Sequence, residues 1–228
     1  MDLWGQSLWD YHQGKRSHHL YLDTSFGPLE KVPLEEFFRY DQTFTALDNV
    51  ALSHCKGPVL DVGAGTGSHS LALQKSGIEV TALEVSPGAC TVMQSRGVHR
   101  VKNQDLYRFS GKFQTVLLLM NGVGLAGTLS NLPGFLGVLN ELMQDGGQIV
   151  LDSCDVRYLY AGESLPTDHY FGDMSYCYHY KGQSGKSFPW LFVDREKLAE
   201  HAQQQELRCQ VVFQEGDQYL AVLDRRLD

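Results

Sequence analysis

Apolar and polar positions along the chain separate into short apolar runs and longer one-sided stripes. The runs Val59–Val62, Ile78–Leu83, Val98–Lys102, Phe113–Met120 and Gln148–Asp152 predict five strands. Phe113–Met120 is apolar almost throughout, as a central strand covered on both faces must be. Helices are predicted between the strands. Ser68–Ser76 ends at Gly77, and the next helix starts at Ser86-Pro87, a Ser cap with Pro in the first turn, and ends near Gly97. Leu132, Phe135, Leu136, Leu139 and Met143 lie at i, i+3, i+4, i+7 and i+11, the stripe of a helix with one buried face. Before the first strand, the spacings of Phe37, Phe38, Phe44, Leu47, Val50 and Ala51 predict helix over 33–53. Strands that alternate with helices imply an α/β doubly wound parallel sheet.

Beyond Asp155 the pattern changes. Residues 156–189 are rich in tyrosine and glycine, and Met174–Tyr180 with Ser187–Phe192 predict an inserted β-hairpin around 182–185. Asp194–Gln205 reads as a polar helix capped by Asp194, and Leu207–Phe213 with Tyr219–Leu223 read as a terminal hairpin. The expected organisation is one domain over 1–228. It comprises an N-terminal helical cap or lid (1–53), a nucleotide-binding core (54–155), an inserted aromatic hairpin over the substrate (156–193), and a helix and hairpin completing the sheet (194–228).

At 228 residues, with 43% hydrophobic and 20% charged residues, the chain is of a size and make-up that builds a single core. The formal charge of −8 argues against nucleic acid or an anionic membrane as partner, and Lys15-Arg16 and Arg225-Arg226 are only pairs of cations. Five cysteines without C-x-x-C spacing indicate reduced thiols rather than a disulfide framework or zinc site. There is no apolar run of membrane-spanning length and no leader-like pattern over 1–14, so a cytoplasmic protein is expected, as monomer or homodimer.

The most informative stretch is Val59-Leu60-Asp61-Val62-Gly63-Ala64-Gly65-Thr66-Gly67. An apolar strand carrying an acid enters a turn of alternating glycines, and a helix follows. Such a turn brings bare main chain and free helix N–H groups to a ligand at the carboxyl edge of a sheet. The spacing is G-x-G-x-G, and Ser68 stands where a dinucleotide fingerprint has its third glycine. This resembles motif I of the class I S-adenosylmethionine-dependent methyltransferases, and the likeness extends in order over 58–152. It includes a subgroup of small bacterial-type enzymes of unassigned substrate, similar in Leu117–Gly122 and in the 181–190 hairpin. The resemblance implies a Rossmann-like sheet, mostly parallel with a C-terminal antiparallel hairpin, and S-adenosyl-L-methionine as cofactor.

On this resemblance the cofactor-binding residues are Asp61, Gly63, Ala64, Gly65, Gly67, Glu84, Val85, Asp105, Leu106, Met120 and Arg39. Glu84, at the end of the second strand and about twenty residues beyond the turn, would accept the ribose hydroxyls. Val85 would pack on adenine, with Asp105 and the Leu106 N–H at its edge. Met120 and Asn121 would border the amino-acid part and the methyl group. Arg39, in a lid, would meet a carboxylate of cofactor or substrate. Tyr11 and Tyr21 are weaker lid candidates.

Methyl transfer from a sulfonium asks mainly for alignment and exclusion of water, and a base is needed only for a protonated nucleophile. The candidates are His169 and His179 as bases, and Asn121 as substrate contact. Tyr158, Tyr160, Tyr170, Tyr178 and Trp190 could cradle a cation or flat acceptor, or fill a satellite core. Asp152 and Asp155 match the acids of catechol-type enzymes only in part, and His18-His19 lack further ligands, so no metal is expected. The expected reaction is methylation of a small molecule at an amine, hydroxyl or carboxylate. Two alternatives stay open: a nicotinamide-dependent oxidoreductase sharing the Glu84 ribose acid, and a non-catalytic S-adenosylmethionine-binding protein.

Overall fold

The computed structural model describes residues 1–225. Arg226, the second member of the terminal arginine pair, and the last two positions of the 194–228 segment lie outside the described residues. Along the chain the elements are α1 (Leu3–His12), β1 (Tyr21–Thr24), β2 (Glu30–Lys31), α2 (Ala46–His54), β3 (Val59–Val62), α3 (Ser68–Lys75), β4 (Val80–Glu84) and α4 (Pro87–Arg96). Then follow β5 (Val101–Asn103), β6 (Phe113–Leu118), α5 (Leu132–Leu142), β7 (Met143–Cys154), β8 (Asp173–Tyr180), β9 (Gln183–Ser184), β10 (Phe188–Leu191), α6 (Arg195–Gln204), β11 (Leu207–Glu215) and β12 (Gln218–Arg225).

Seven strands form the main sheet in the order β11-β12-β7-β6-β3-β4-β5. β4 pairs with β5 and β6 with β7 in parallel, while β12 runs antiparallel to β7 and to β11. This is the Rossmann-like, mostly parallel sheet with a terminal antiparallel hairpin that the resemblance implied. A second sheet has the order β10-β8-β1-β2, with β9 on β8.

By contact density the chain divides into two compact units. The first comprises Met1–Phe44, Asp61–Phe109 and Ser175–Phe188; the second comprises Thr45–Leu60, Ser110–Met174 and Pro189 onward. In the first, Leu3, Leu8, Leu20, Leu34, Ala89, Val92 and Tyr180 form one buried cluster, and Ala82, Cys90, Met93 and Val98 another. In the second, Leu132, Phe135, Leu136 and Leu139 put the predicted α5 stripe in the core, while Met143, expected as its last member, is the first residue of β7. Burial of such a Leu or Phe side chain is worth about 1.5–3 kcal/mol, which is why this stripe was the firmest helical signal.

The N-terminal third departs from the expected continuous helix over 33–53. Leu34–Phe38 and Asp41–Thr43 are short 3₁₀ turns, and Arg39 and Tyr40 between them are extended. Only Ala46–His54 is α-helical, and Thr45 and Asp48 cap it reciprocally. Thr and Asp side chains here bond the backbone locally and end one helical turn to begin another. Upstream, α1 is capped by Asp2, whose Oδ1 accepts from Gly5 N at 2.8 Å. β1 pairs with β8, Tyr21 opposite His179 and Asp23 opposite Cys177. The inserted hairpin is therefore extended by N-terminal strands that the apolar pattern did not announce.

Candidate active site

The glycine turn sits where β3 passes into α3. Gly63, Gly65 and Gly67 all have positive φ, and Gly67 occupies the N-cap of α3 without contributing a side chain. The Leu83 carbonyl accepts from Gly63 N at 2.9 Å and Ala64 N at 3.2 Å, which ties the turn to β4. Gly65 has φ +56°, and a Cβ there would find only the Gly63 carbonyl, at 3.9 Å. The turn thus needs glycine for its backbone angles and leaves open space beside it. That space, beside the start of a helix whose N-cap supplies no side chain, is the kind of cradle a nucleotide ligand fills.

Glu84 faces this turn. Its Oε2 accepts from Gly65 N at 3.0 Å and its Oε1 from Ser86 N at 2.9 Å. The side chain is buried, and burial pushes the carboxyl above its ordinary value, partly offset by the N–H groups of Ser86 and Gly65. Asp61 lies behind the turn, accepts from Ser70 Oγ at 2.6 Å, and is likewise pushed up by burial. Both retain lone pairs as acceptors.

The next loop is brought to the same edge by a residue the sequence reading missed. The Asn103 amide donates to the Glu84 carbonyl at 2.9 Å and to the Val85 carbonyl at 3.0 Å, and Gln104 N donates to the Glu84 carbonyl at 3.1 Å. An Asn at the end of a short strand was the available signal. Val85 is 66% exposed and Tyr107, two residues past Asp105, is 57% exposed, so two apolar surfaces stand open here. Asp105 Oδ1 accepts from Tyr107 N at 2.8 Å and closes a one-turn 3₁₀ helix in which Leu106 is buried. Asp61, Gly63, Ala64, Gly65, Gly67, Glu84, Val85, Asp105 and Leu106 all belong to the first compact unit. So does Arg39, which is half-buried and lines a cleft of about 230 Å³ with Ser68, Lys75 and Arg96.

A second strained turn lies in the other unit. Met120 and Asn121 have φ of 62° and 58°, consecutive left-handed residues that are not glycine. Such strain persists only where surroundings over-determine it. Asn121 N donates to Asp152 Oδ1 at 2.8 Å, its amide donates to the Leu191 carbonyl at 3.0 Å, and its Oδ1 accepts from Ser153 Oγ at 3.0 Å. The Asn121 side chain is engaged at both ends. Beyond it, Trp190 lies on the loop: a Cβ on Gly124 would come within 2.2 Å of the indole.

The base candidates are scattered. His169 bonds Asp168 Oδ1 at 2.8 Å and is half-exposed. His179 bonds Ser184 Oγ at 2.8 Å, and as neighbours in β8 it and Tyr178 leave the sheet on opposite faces. Tyr178 stacks on Trp4 at 5.5 Å, and burial together with the Glu84 carboxylate pushes its phenol up to about 12. Tyr170 donates to Asp194 Oδ2 at 2.6 Å, and Tyr160 to the Phe171 carbonyl at 3.0 Å, so both anchor the fold locally. Tyr11 meets Phe38 in a tilted ring contact against the first unit's core, while Tyr21 and Tyr158 are exposed. His18 and His19 meet the rings of Tyr180 and Tyr21 in edge contacts. Among the described residues no group of three or more His, Cys, Asp or Glu is placed to hold a metal ion, and no helix is long and apolar enough to cross a membrane.

A methyltransferase-domain family model matches residues 60–151, the span from β3 to β7 that contains both turns. The structure of an S-adenosylmethionine-dependent methyltransferase from Bacteroides fragilis, in complex with S-adenosyl-L-homocysteine, matches with a TM-score of 0.91. It is 33% identical and covers 99% of this chain and 95% of that one. The chain belongs to the S-adenosylmethionine-dependent methyltransferases. Two further likenesses are more distant. A demethylmenaquinone methyltransferase of Tropheryma whipplei is 29% identical over 99 residues, 41% of this methyltransferase and 40% of that protein. The match thus spans about two fifths of that relative's length. The sugar N-methyltransferase KedS8 of Streptoalloteichus has a TM-score of 0.59 at 16% identity, covering 89% of this chain and 96% of that one, a likeness of fold alone. Family membership also settles against the nicotinamide-dependent oxidoreductase. Ser68 in place of the third glycine and the antiparallel β11–β12 hairpin agree with that.

Proposed function

We propose that this methyltransferase binds S-adenosyl-L-methionine at the glycine turn and methylates a small molecule whose acceptor atom, as in a neutral amine or a carboxylate, is nucleophilic without prior deprotonation. The observation that carries the reading is the pairing of an open glycine turn with the buried Glu84 carboxylate, joined through Gly65 N at 3.0 Å. Glu84 would accept the ribose hydroxyls, Val85 would pack on adenine, Asp105 would meet its amino group and the Leu106 N–H a ring nitrogen. The start of α3 and the Asp61-backed turn would face the amino-acid part. When bound, the cofactor supplies an electrophilic methyl group on a sulfonium.

The protein's own residues then have three tasks: hold, orient and keep water out. Glu84 suits the first because a buried carboxylate gains from donors that replace the water it has lost. No side chain among the sequence candidates is needed as a base for an acceptor such as a neutral amine. A small acceptor accords with the formal charge of −8, which disfavours a polyanion.

Isothermal titration with S-adenosyl-L-homocysteine tests the cofactor site. Wild type should bind, and Glu84→Ala should bind more weakly by about 1–3 kcal/mol through lost buried hydrogen bonds. Equal affinities would remove Glu84 from the ribose role. A labelled-methyl screen over amines, phenols, carboxylates and thiols tests the acceptor class. Transfer confined to phenols or thiols, which need deprotonation, would overturn this acceptor reading, and transfer to no acceptor would favour a binding protein.

A further inference from the structure

Ser68 is the position at which this chain leaves the dinucleotide fingerprint, and its hydroxyl has a partner far away in sequence. Ser68 Oγ donates to the Phe37 carbonyl at 2.7 Å, and Thr66 Oγ1 donates to the same oxygen. Phe37 lies near the end of the 3₁₀ turn Leu34–Phe38, where helical carbonyls lack partners of their own. Two hydroxyls therefore fill the two lone pairs of one orphan carbonyl. Arg96, the last residue of α4, closes the arrangement from behind. Its Nη1 lies 2.8 Å from the Thr66 carbonyl, 2.6 Å from Thr66 Oγ1 and 3.0 Å from Ser68 Oγ. Its Nη2 reaches the Arg39 carbonyl at 3.4 Å, and its guanidinium lies 5.2 Å from the Phe38 ring and 5.6 Å from the Tyr40 ring.

One guanidinium thus grips the glycine turn at Thr66 and the extended segment at Arg39. The gripped segment carries part of an aromatic wall. The Phe37 ring meets Trp4 edge-on at 4.7 Å, and Trp4 stacks on Tyr178. Lys75 adds an outer tie to Asp41. A loose lid would show a solvated backbone over 37–40, whereas here the Phe37 carbonyl is bonded to the turn itself and the Arg39 carbonyl to Arg96.

We propose that Arg96, acting through Thr66 and Ser68, is a positioning residue that latches residues 37–40 to the glycine turn. Order in the N-terminal segment and occupancy of the cofactor site then reinforce each other. The second half of this inference rests on the cofactor reading above, while the first half does not. Lys in place of Arg96 keeps the charge but not the planar fork that reaches four acceptors at once. Val in place of Thr66 keeps the shape of a 2%-exposed side chain and deletes only the hydroxyl, and Ser restores the hydroxyl.

Hydrogen-exchange mass spectrometry on the ligand-free full chain reads the latch directly. Exchange over 37–44 should rise about tenfold in Arg96→Lys and in Thr66→Val, stay near wild type in Thr66→Ser, and leave α5 and β7 unchanged in all three. Unchanged exchange over 37–44 in Arg96→Lys and Thr66→Val overturns the latch, as does a rise spread equally over α5 and β7. Stopped-flow measurement with S-adenosyl-L-homocysteine reads the coupling. Arg96→Lys should release it several-fold to about tenfold faster, and saturating ligand should restore protection at 37–44. A loosened segment with unaltered release overturns the coupling. Wild type that does not bind the compound overturns the coupling and the cofactor reading, and the ligand-free exchange still decides the latch.

Discussion

Two turns in this methyltransferase have the same backbone problem and solve it differently. In the first unit, Gly63, Gly65 and Gly67 take left-handed angles, and glycine carries them at no steric expense. In the second, Met120 and Asn121 take left-handed angles although both have side chains, and Asp152, Ser153 and the Leu191 carbonyl hold Asn121 there. The first turn is shaped by what is missing, and its bare surface is its use. The second is shaped by hydrogen bonds drawn from β7 and β10, and its strain is maintained by its neighbours. Glycine also appears beside the second turn, but for a different reason. Gly124 is needed for the space its absent side chain leaves to Trp190 rather than for its backbone angles.

The sharpest way to break this contrast is to add one methyl group to each loop. In Gly124→Ala the new Cβ would lie 2.2–2.6 Å from three indole atoms, so Trp190 or the loop must move. A loss of about 2–3 kcal/mol in urea unfolding is expected. Gly65→Ala meets no obstacle, only a φ of +56°, and should lose about 1 kcal/mol. Its larger effect should be on S-adenosyl-L-homocysteine affinity, because the methyl group enters the open space beside the turn. Equal stability losses in the two variants would mean that the indole slides aside freely, and the distinction between space and angle would fall.

A second, smaller effect separates strain from bonding at Asn121. Asn121→Ala keeps the left-handed angle and loses both side-chain hydrogen bonds, leaving Ser153 Oγ and the Leu191 carbonyl each without that partner. About 1.5–3 kcal/mol of stability should go. Asn121→Gly loses the same bonds but relieves the angle, so it should be more stable than the alanine variant by about 1 kcal/mol. A glycine variant no better than alanine would show that the angle stores little strain.

The contrast also explains what was legible in the sequence. Gly63-Ala64-Gly65-Thr66-Gly67 announces itself because its residue types are themselves the solution, and Glu84 follows at a fixed distance along β4. The α5 stripe was equally plain, since Leu132, Phe135, Leu136 and Leu139 bury one face. Asn121 was visible as a residue but not as a strained one, because its partners Ser153 and Leu191 lie 32 and 70 positions away. Asn103 and the Arg96 grip were hidden for the same reason. In α1, the buried Asp10 interrupts the stripe of Trp4, Leu8 and Tyr11. It is tolerated because Lys181, Lys15 and Tyr180 bond it and, against its burial, bring its carboxyl down to about 2. Polar burial of that kind depends on tertiary partners, and no periodicity encodes it.

The smallest effect concerns charge, and it tests whether the first turn is built for a ligand rather than for its own stability. Burial raises the Glu84 carboxyl above its ordinary 4.5 in the ligand-free protein. A carboxyl raised on folding favours the fold while protonated. That contribution is complete below pH 4.5 and is lost as pH rises through the folded value. Glu84→Gln carries no charge, so the melting temperature of wild type minus that of the variant should fall as pH rises from 4 toward 8. Asp61 is raised in the same sense but is present in both proteins and cancels from the difference. Saturating S-adenosyl-L-homocysteine should shrink this pH-dependent loss in wild type, because ribose donors would then solvate the carboxylate. A difference that stays flat with pH would mean the carboxylate is already fully satisfied by Gly65 and Ser86. The first turn would then be held by its own hydrogen bonds as completely as the second, leaving Glu84 nothing to gain from a ligand.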